Sequence, residues 1–558
     1  MKKLQKAAAC IFGALLLGGG CTAPGGVQSG TSDGPAGAVS DSEAPGASGS
    51  QTERPAEEKE LIPLSFEGIG EAEDLDAFIS EVDKPDGTHD NDEKETGVIL
   101  SPYFSLTADG KEVDCYAVRT TYGAHSFAML DAGADAFPLG LSLSVRCAAE
   151  DIGVLPRSYG VGAEYSSGKA AAEIPGFGNY TFVVDGDKER ALTVFVREAE
   201  EFVPPEGYAV MRVSPGAHEE KLSFSSEKQV MLFESGVHFL KYNVEFLDDT
   251  EVYLERGAYI CAVMPDMAEE PAQNPDWAGM TNWNALFYGC GVKNVAVRGR
   301  GMVDLSRLDW HARSAVRFDL CDGVEVEGIT LNNSPEWTLY CTRSQNISIS
   351  EILLFGYRQN SDGICLVDCR DGRVENCFAR SGDDLFEVKS MYPAHDVPIG
   401  NLRFYNCNAW PDKARGIGII AESQRDMADI RFENCSVGFA SASWQDELGA
   451  LVVYLTDKAR IRDVHFENIE LHSSALYPIN VTLDEASTAF IEEVYFRNID
   501  IRGREPVRVA NNSEAGGRIG NLYFDGCTRD GVPVKTYAQL CPKLTGVTLD
   551  SLLVNRNL

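Results

Sequence analysis

Two short acidic motifs, 21 residues apart, carry most of the chemistry that this sequence offers. The first is Asn360-Ser361-Asp362 and the second is Gly382-Asp383-Asp384. If they stand on successive coils of a repeat, Asp362 lies beside the Asp383-Asp384 pair at about 4.8 Å in the ladder direction. Crowded carboxylates repel one another, so their presence indicates a functional site suited to general acid and base catalysis.

Two non-catalytic roles also fit these aspartates. A hard cation such as calcium selects clustered oxygen ligands. Asp362-Gly363 taken alone is common turn chemistry. The acid motifs therefore need a fold that brings them together before they can be interpreted.

A repeat of short strands, beginning near residue 206, provides such a fold. Its apolar markers recur every 23 to 34 residues, which predicts a solenoid whose coils bury their apolar faces on one another. Coils of this length with little helical periodicity favour a right-handed parallel β-helix over 206–558. Asn-Cys pairs in phase, such as Asn376-Cys377 and Asn406-Cys407, are expected to stack as ladders. The markers are Val297, Val326, Ile349, Val374, Phe404, Phe432, Phe466, Phe496 and Phe524.

Residues 61–205 have a different sequence pattern. Asp109-Gly110 and Asp185-Gly186 stand between alternating apolar runs, which is a strong hairpin signal. We predict an antiparallel β-sandwich without a cluster of catalytic residue types. The fold class is therefore all-β, with a sandwich followed by a β-helix.

The N-terminus predicts export. Lysines precede a short apolar run that ends at Gly18-Gly19-Gly20-Cys21, which is typical of a bacterial lipoprotein signal. We expect a signal peptide over 1–20, lipidation of Cys21 and a disordered tether over 21–60 that holds the folded part away from a membrane. Ordinary signal cleavage with an incidental Cys21 is the alternative.

Charge and cysteine usage exclude several classes. With 49 basic and 85 acidic residues the net charge is −36, which disfavours nucleic acid as a partner. Thirteen cysteines remain after Cys10 and Cys21, an odd number that cannot pair completely. Clustered histidines and Cys-x-x-Cys motifs are absent, so we interpret the cysteines as buried small apolar residues and expect no metal or cofactor.

The acid motifs resemble those of the polygalacturonases, glycoside hydrolase family 28, which carry Asn-Thr-Asp followed by Gly-Asp-Asp. Similar supporting phrases are Val252 to Ala258, Gly299 to Asp304 and Ser334 to Trp337, within a resemblance that covers about 230–501. The family's Gly-His-Gly is replaced here by Ala414-Arg415-Gly416, and its Arg-Ile-Lys is missing. The sandwich followed by a β-helix is similar to the dextranase and isopullulanase family, family 49.

The resemblance implies an inverting glycoside hydrolase acting on a pectin-type glycan or an α-glucan. It assigns Asp383 as the general acid and Asp362 and Asp384 as the anions that activate water, with acid and base about 6.5–9.5 Å apart. The carboxyl with the least solvent should hold a proton near neutral pH. The resemblance implies that this carboxyl is Asp383 and that Asp362 and Asp384 remain ionised. The expected substrate contacts are Arg415, Lys389, Asn360, Trp410 and Tyr454; Arg380 and Lys413 could add positive charge.

Two other functions remain open from the sequence. A non-catalytic glycan-binding surface β-helix would explain the lost histidine. A calcium-dependent polysaccharide lyase on the same fold would use an arginine or lysine base.

Overall fold

A computed structural model of the chain describes residues 59–79, 97–264 and 285–555. The expected signal segment, Cys21 and all but the end of the expected tether lie outside these ranges. Within them, no helix is both long and apolar enough to span a bilayer. The helices are short: an α-helix at Leu75–Ile79 and 3-10 turns at Ala134–Ala136, Arg157–Tyr159, Tyr537–Leu540 and Leu549–Ser551.

Two facing sheets form the N-terminal sandwich. Their inward residues alternate along the strands and make one apolar core, as in Lys169–Ile174, where every second residue is buried. The first sheet comprises Leu61–Pro63, Val98–Leu100, Cys115–Arg119, Ala124–Ala132, Ala191–Glu198, Gly178–Val184 and Ile152–Leu155; the second comprises Lys111–Val113, Phe104–Ala108, Leu139–Val145, Lys169–Ile174 and Glu164–Ser166.

The sandwich differs from the prediction in one pairing. Ala191–Glu198 runs parallel to Ala124–Ala132, with Leu192 opposite Ser126, whereas the other pairs are antiparallel. The Asp-Gly signals report only hairpin neighbours, so they contain no information about two strands that meet across a long connection.

The rest of the described chain is a right-handed parallel β-helix. Its coils contribute to a continuous sheet of 24 strands, which covers two faces, and to an eleven-stranded sheet on the third face. The 24 strands are Ala209–Val213, Gly216–His218, Gln229–Phe233, Gly236–Leu240, Thr250–Leu254, Ala258–Ala262, Lys293–Gly299, Met302–Asp304, Asp322–Glu327, Thr330–Asn332, Gln345–Ser350, Leu353–Phe355, Arg370–Glu375, Phe378–Ser381, Ile399–Tyr405, Asn408–Pro411, Met427–Glu433, Ser436–Ala440, Arg460–Ser474, Phe490–Ile501, Arg518–Asp525, Thr528–Arg529, Val532–Pro533 and Leu552–Val554.

The eleven-stranded sheet alternates between core and outer side chains. In its central strands the core residues are apolar, whereas Cys365, Glu387 and Lys389 point outward. Its strands are Val244–Glu245, Phe287–Cys290, Val316–Asp319, Leu339–Thr342, Ile364–Val367, Phe386–Ser390, Ile417–Ser423, Leu451–Leu455, Ile479–Leu483, Arg508–Asn511 and Lys543–Thr545.

The predicted repeat register is confirmed along its whole length. Val297 pairs with Val326, and each later marker pairs with the next as far as Phe524. The aromatic markers stack ring on ring, with Phe466 and Phe496 centroids 5.1 Å apart. One apolar column therefore fills the interior.

The expected asparagine ladders are also present. The Asn406 amide donates to the Asn376 side-chain oxygen at 2.8 Å, and Asn498 donates to Asn468 at 2.9 Å. These asparagines adopt left-handed φ values of 51–58°, which asparagine tolerates better than most residues. All thirteen cysteines of the described residues carry free thiols, and most of them are buried.

The sandwich packs against the 24-stranded sheet. Phe127 and Phe195 of the sandwich meet Phe355 and Phe378 of the β-helix in one buried aromatic cluster. A buried ion cluster adds to this interface, with Asp131 of the sandwich 3.3 Å from the Arg300 guanidinium. Burial of both apolar and paired charged groups fixes the sandwich beside the coils that carry the acid motifs.

Candidate active site

The acid motifs lie in the turns that lead into the eleven-stranded sheet. Ile364 pairs with Phe386 on the next coil, which places Asp362 opposite Asp384. The nearest oxygens of Asp362, Asp383 and Asp384 all lie within 4.8 Å of one another. The structure thus brings the three carboxylates into one cluster.

Close backbone contact explains the glycines of these turns. A Cβ at Gly382 would lie 2.6 Å from the Tyr357 carbonyl oxygen, and one at Gly363 would lie 2.5 Å from that of Leu385. Both distances are too short for any side chain. The glycines therefore let successive turns approach closely enough for their carboxylates to meet.

Asp383 is the acid that reaches the surface of the cluster. Its side chain is half-buried and accepts hydrogen bonds from the backbone N–H groups of Asn360 at 2.8 Å and Asp384 at 3.0 Å. Burial and the neighbouring Asp384 raise the pKa of Asp383 to about 6, although the Asn360 N–H works in the opposite direction. Asp383 can therefore hold a proton in mildly acidic solution.

Asp362 lies deeper. It is only 3% exposed, and its Oδ1 has no hydrogen-bond partner among the described residues. Burial, together with Asp383 and Glu387, raises the pKa of Asp362 well above its usual range. This direction disagrees with the expectation that Asp362 remains ionised, because a sequence contains no measure of how enclosed a side chain is.

Glu387 is a fourth acid in the cluster that sequence reasoning missed. It is fully buried, and the Cys365 thiol donates to its Oε1 at 2.6 Å. Burial raises the pKa of Glu387 to about 7 despite the opposing effect of Lys389. Strand alternation could have found it, since Glu387 and Lys389 are two residues apart and share the outer face.

Lys389 places one ammonium among four carboxylates. Its Nζ lies 3.0 Å from Glu387, 3.3 Å from Glu422, 3.8 Å from Asp362 and 3.9 Å from Asp384. Burial alone would lower the pKa of Lys389, but these acids raise it well above its usual range. Lys389 is therefore a charged structural centre of the site.

Arg415 holds the remaining aspartate. Its Nη1 lies 2.9 Å from Asp384 Oδ2, and its backbone N–H donates to Asp384 Oδ1 at 2.9 Å. Its guanidinium stands over the Tyr454 ring at 5.1 Å, while the Tyr454 hydroxyl donates to Asp484. Arg415 thus binds a carboxylate where the related family has histidine, and Tyr454 supports Arg415.

Two predicted contributors are excluded by burial. Trp410 is 2% exposed and packs between His125 of the sandwich, at 5.2 Å, and Phe439, at 4.8 Å, so the prediction that it binds substrate is wrong. Arg380 is fully buried and paired with Asp412 and Glu189, so it adds no charge to an open site. Both outer-face positions were hidden by the sandwich, which the repeat pattern cannot reveal.

A cavity of about 340 Å³ opens above Asp383. Lys413 lines it without an ion pair to any described residue, and Trp444, 65% exposed, donates its indole N–H to the Lys413 carbonyl. Asn360 contributes its backbone N–H to Asp383, and no hydrogen bond of its side chain is found among the described residues. The cavity offers an acid, a free ammonium and aromatic surface.

In the described part of the chain, two groups of side chains could hold a metal ion, namely the three aspartates and the set Asp362, Cys365 and Glu387. Both groups include Asp362, whose carboxylate lies 3.8 Å from the Lys389 ammonium. A divalent cation among these oxygens would have to displace Lys389 or stand against it. The donor set therefore fits a buried ammonium better than calcium, which prefers six to eight oxygens.

The spacing of the acids differs from the expected value. Nearest oxygens within 4.8 Å are closer than the roughly 6.5–9.5 Å that we expected between acid and base. Coils in register bring successive turns only one ladder step apart, which sets this short distance.

The fold and the acid cluster define a class, the parallel β-helix with carboxylates above one sheet. The sequence model described as "Glycosyl hydrolases family 28" matches residues 272–501. A probable polygalacturonase of Vitis vinifera is 24% identical over 38% of this chain and 49% of its own length. A probable exopolygalacturonase B of Emericella nidulans is 22% identical over 46% of this chain and 64% of its own length. The chain thus spans about half to two thirds of these curated relatives.

The fold likeness extends further along the chain. The solved structure "Dex49A from Penicillium minioluteum" has a TM-score of 0.55 and 10% identity, and the match covers 89% of this chain and 98% of that one. At this identity the likeness concerns the fold. Together these comparisons confirm the resemblance to the family 28 and family 49 β-helices.

The buried charges of the site predict how stability depends on pH. Carboxyl groups whose folded pKa is raised stabilise the fold fully below their unfolded pKa of about 4, and this contribution is lost as pH rises through the folded value. The positive charge of Lys389 limits this loss of stability, because it balances part of the negative charge that forms as pH rises. We expect Lys389→Met to lower the free energy of unfolding by about 3–5 kcal/mol near pH 8 and by less near pH 4.5, measured by urea denaturation.

Lys413→Met is the matched control, because it removes a lysine that lines the neighbouring cavity and forms no ion pair with any described residue. Its free energy of unfolding should change by less than about 0.5 kcal/mol at both pH values. Equal destabilisation of the Lys389 variant at both pH values would contradict the charge argument.

Proposed function

We propose that the chain is a glycoside hydrolase that cleaves a polysaccharide with Asp383 as general acid. The observation that carries this proposal is the placement of Asp383, half-buried at a cavity with a pKa raised to about 6, beside a buried carboxylate cluster. A carboxylic acid near this pKa can protonate a leaving glycosidic oxygen in mildly acidic solution. The family 28 match and the polygalacturonase relatives support the same reaction class.

Asp384 is the proposed base. It forms ion pairs with Arg415 and Lys389, which hold its carboxyl group in place. Asp362, whose pKa is raised, shares the protons of the cluster rather than serving as a second anion. Arg415 cannot replace the family histidine as a proton carrier, because guanidinium does not titrate in this range.

Inversion of the anomeric centre is the proposed outcome. A covalent nucleophile must touch the anomeric carbon, whereas Asp362 and Asp384 are each 3% exposed and lie behind Asp383. A water molecule can reach a buried base that a sugar ring cannot. The nearest-oxygen distances within 4.8 Å do not separate an inverting from a retaining enzyme, so the burial of Asp362 and Asp384 is the observation that supports inversion.

The lyase alternative needs a basic side chain that can accept a proton. Lys389 and Arg415 are both paired with carboxylates, which keep them protonated. The family 28 match also supports a hydrolase rather than a lyase.

Asp383→Asn should lower kcat about 10²- to 10⁴-fold, because it removes the acid and keeps the shape. In the wild type kcat/KM should fall as pH rises through about 6, since the acid loses its proton there. The measurement is reducing-end release from a panel of pectins and α-glucans, with and without the substitution.

Proton NMR of the first-formed product completes this experiment. Inverted configuration is expected, and retained configuration would overturn the proposed roles of Asp384 and water. Absence of hydrolysis across the panel would favour a glycan-binding protein instead.

For the substrate we propose a pectin-type glycan that contains uronic acid. Lys413 presents an ammonium to the cavity without a protein counter-ion among the described residues, although the whole chain is strongly acidic. A uronate carboxylate would supply the missing partner, whereas a neutral α-glucan would leave this lysine unused.

Lys413→Met should raise KM for polygalacturonan about tenfold, the effect expected from one charge-assisted hydrogen bond, and leave kcat close to the wild-type value. Steady-state kinetics on polygalacturonan and dextran test the assignment. A higher rate on dextran in the wild type, unaffected by the substitution, would select the α-glucan.

We also propose export and attachment to a membrane through Cys21, on the sequence pattern alone, since this residue lies outside the described ranges. Expression of the full chain in a bacterial host should place it in the membrane fraction. A Cys21→Ser chain should leave that fraction, and unchanged partitioning would remove the lipid anchor.

A further inference from the structure

The cavity above Asp383 is lined from two parts of the fold. Tyr122 belongs to the sandwich, in the turn between Cys115–Arg119 and Ala124–Ala132, and it borders the cavity together with Tyr357, Arg415 and Trp444 of the β-helix. The sandwich was predicted without catalytic residue types. Its turn nevertheless forms a wall of the candidate active site.

Several contacts hold this turn in place. Thr121 is fully buried, and its hydroxyl donates to the Tyr357 carbonyl at 3.4 Å. The Tyr122 hydroxyl donates to the Asp412 carbonyl at 3.3 Å, and the Lys188 ammonium stands 3.9 Å from the centre of the Tyr122 ring. A backbone carbonyl therefore holds the hydroxyl of Tyr122, and a cation covers one face of its ring.

A buried ion network fixes the same wall to the acid-bearing turns. Arg380 is fully buried and bonds Glu189 of the sandwich at 2.6 Å and Asp412 at 3.2 Å. Lys188 reaches the same Asp412 at 3.2 Å. In sequence Arg380 stands just before Gly382-Asp383-Asp384, and Asp412 stands three residues before Arg415, so the network ties the wall to both turns.

The outer face of the eleven-stranded sheet is apolar beside the acid-bearing turns. Trp337, Tyr340, Cys365 and Val367 form a buried apolar cluster on the outer face of the eleven-stranded sheet. On the following coils the segment that carries Trp444 and Glu447 folds back, with the Glu447 carbonyl accepting from Arg415 Nε at 3.2 Å.

We propose that the sandwich turn, through Tyr122, converts the groove into a one-ended pocket, so that the protein acts on chain ends. This inference rests on the proposed hydrolase function. A volume of about 340 Å³ stands near the lower limit of the roughly 300–1,000 Å³ of ligand sites, which suits a short terminal portion of a glycan. Tyr122 is the wall residue, and the face of its ring opposite Lys188 is the one on which a terminal sugar can stack.

The test compares the full-length wild type, Tyr122→Ala and Tyr122→Phe on polygalacturonan. The wild type should release products of one short length from the first minutes, with little fall in viscosity for each reducing end formed. Tyr122→Ala should raise KM about 2- to 12-fold, the loss expected for one aromatic contact, and should add longer products. Tyr122→Phe keeps the ring and should keep the product lengths.

Tyr405→Ala is the control for removing a tyrosine, because Tyr405 is exposed and does not line the cavity. Its product lengths should match the wild type. A ladder of product lengths from the wild type at early times would overturn the one-ended pocket while leaving the hydrolase proposal intact.

Binding measurements test the one-ended pocket independently of hydrolysis. Calorimetric titration of the Asp383→Asn chain uses trigalacturonate, the same oligomer with an unsaturated non-reducing end, and the oligomer reduced with borohydride. One of the two modified ends should weaken binding about tenfold or more. Equal affinity for all three, or no binding of any, would overturn the pocket, whereas absence of hydrolysis with end-sensitive binding would overturn only the hydrolase.

Discussion

One buried ammonium determines the chemistry of this site. Lys389 lies within 4 Å of Glu387, Glu422, Asp362 and Asp384, and burial of so many acids without a cation would force them to be neutral. A single positive charge cannot compensate all of them. The cluster therefore keeps protons, as the raised pKa values of Asp362 and Glu387 show, and Arg415 secures Asp384 from the other side.

The register of the coils makes that charge arrangement possible. Parallel pairing repeats every side chain one ladder step along the axis, so acids in equivalent turns meet whether or not they repel. The glycines at 363 and 382 remove the side chains that would hold these turns apart. The apolar markers that stack inside the solenoid thus control the distances between carboxylates outside it.

The sequence predicted those parts of the protein that repeat. Val297 to Phe524 fall in one aligned column, the asparagines form their ladders, and the two acid motifs meet, because periodicity directly encodes which residues stack. Trp410 and Arg380 were misassigned since periodicity places them on an outer face without showing that the sandwich covers it. Glu387 was missed because its role depends on burial, and Tyr122 because the sandwich has no repeat to align it.

The replacement of histidine by Arg415 has a consequence for the movement of protons. In a site with histidine, an imidazole can return a proton to the acid, whereas guanidinium stays charged and can only fix Asp384. Any proton delivered to Asp383 must then come from water or from a neighbouring carboxyl. Asp362 is such a carboxyl, because its pKa is raised and one of its oxygens lies within 4.8 Å of an Asp383 oxygen. The excess of buried acid over buried base, which is costly for stability, keeps a proton within reach of Asp383, the proposed general acid.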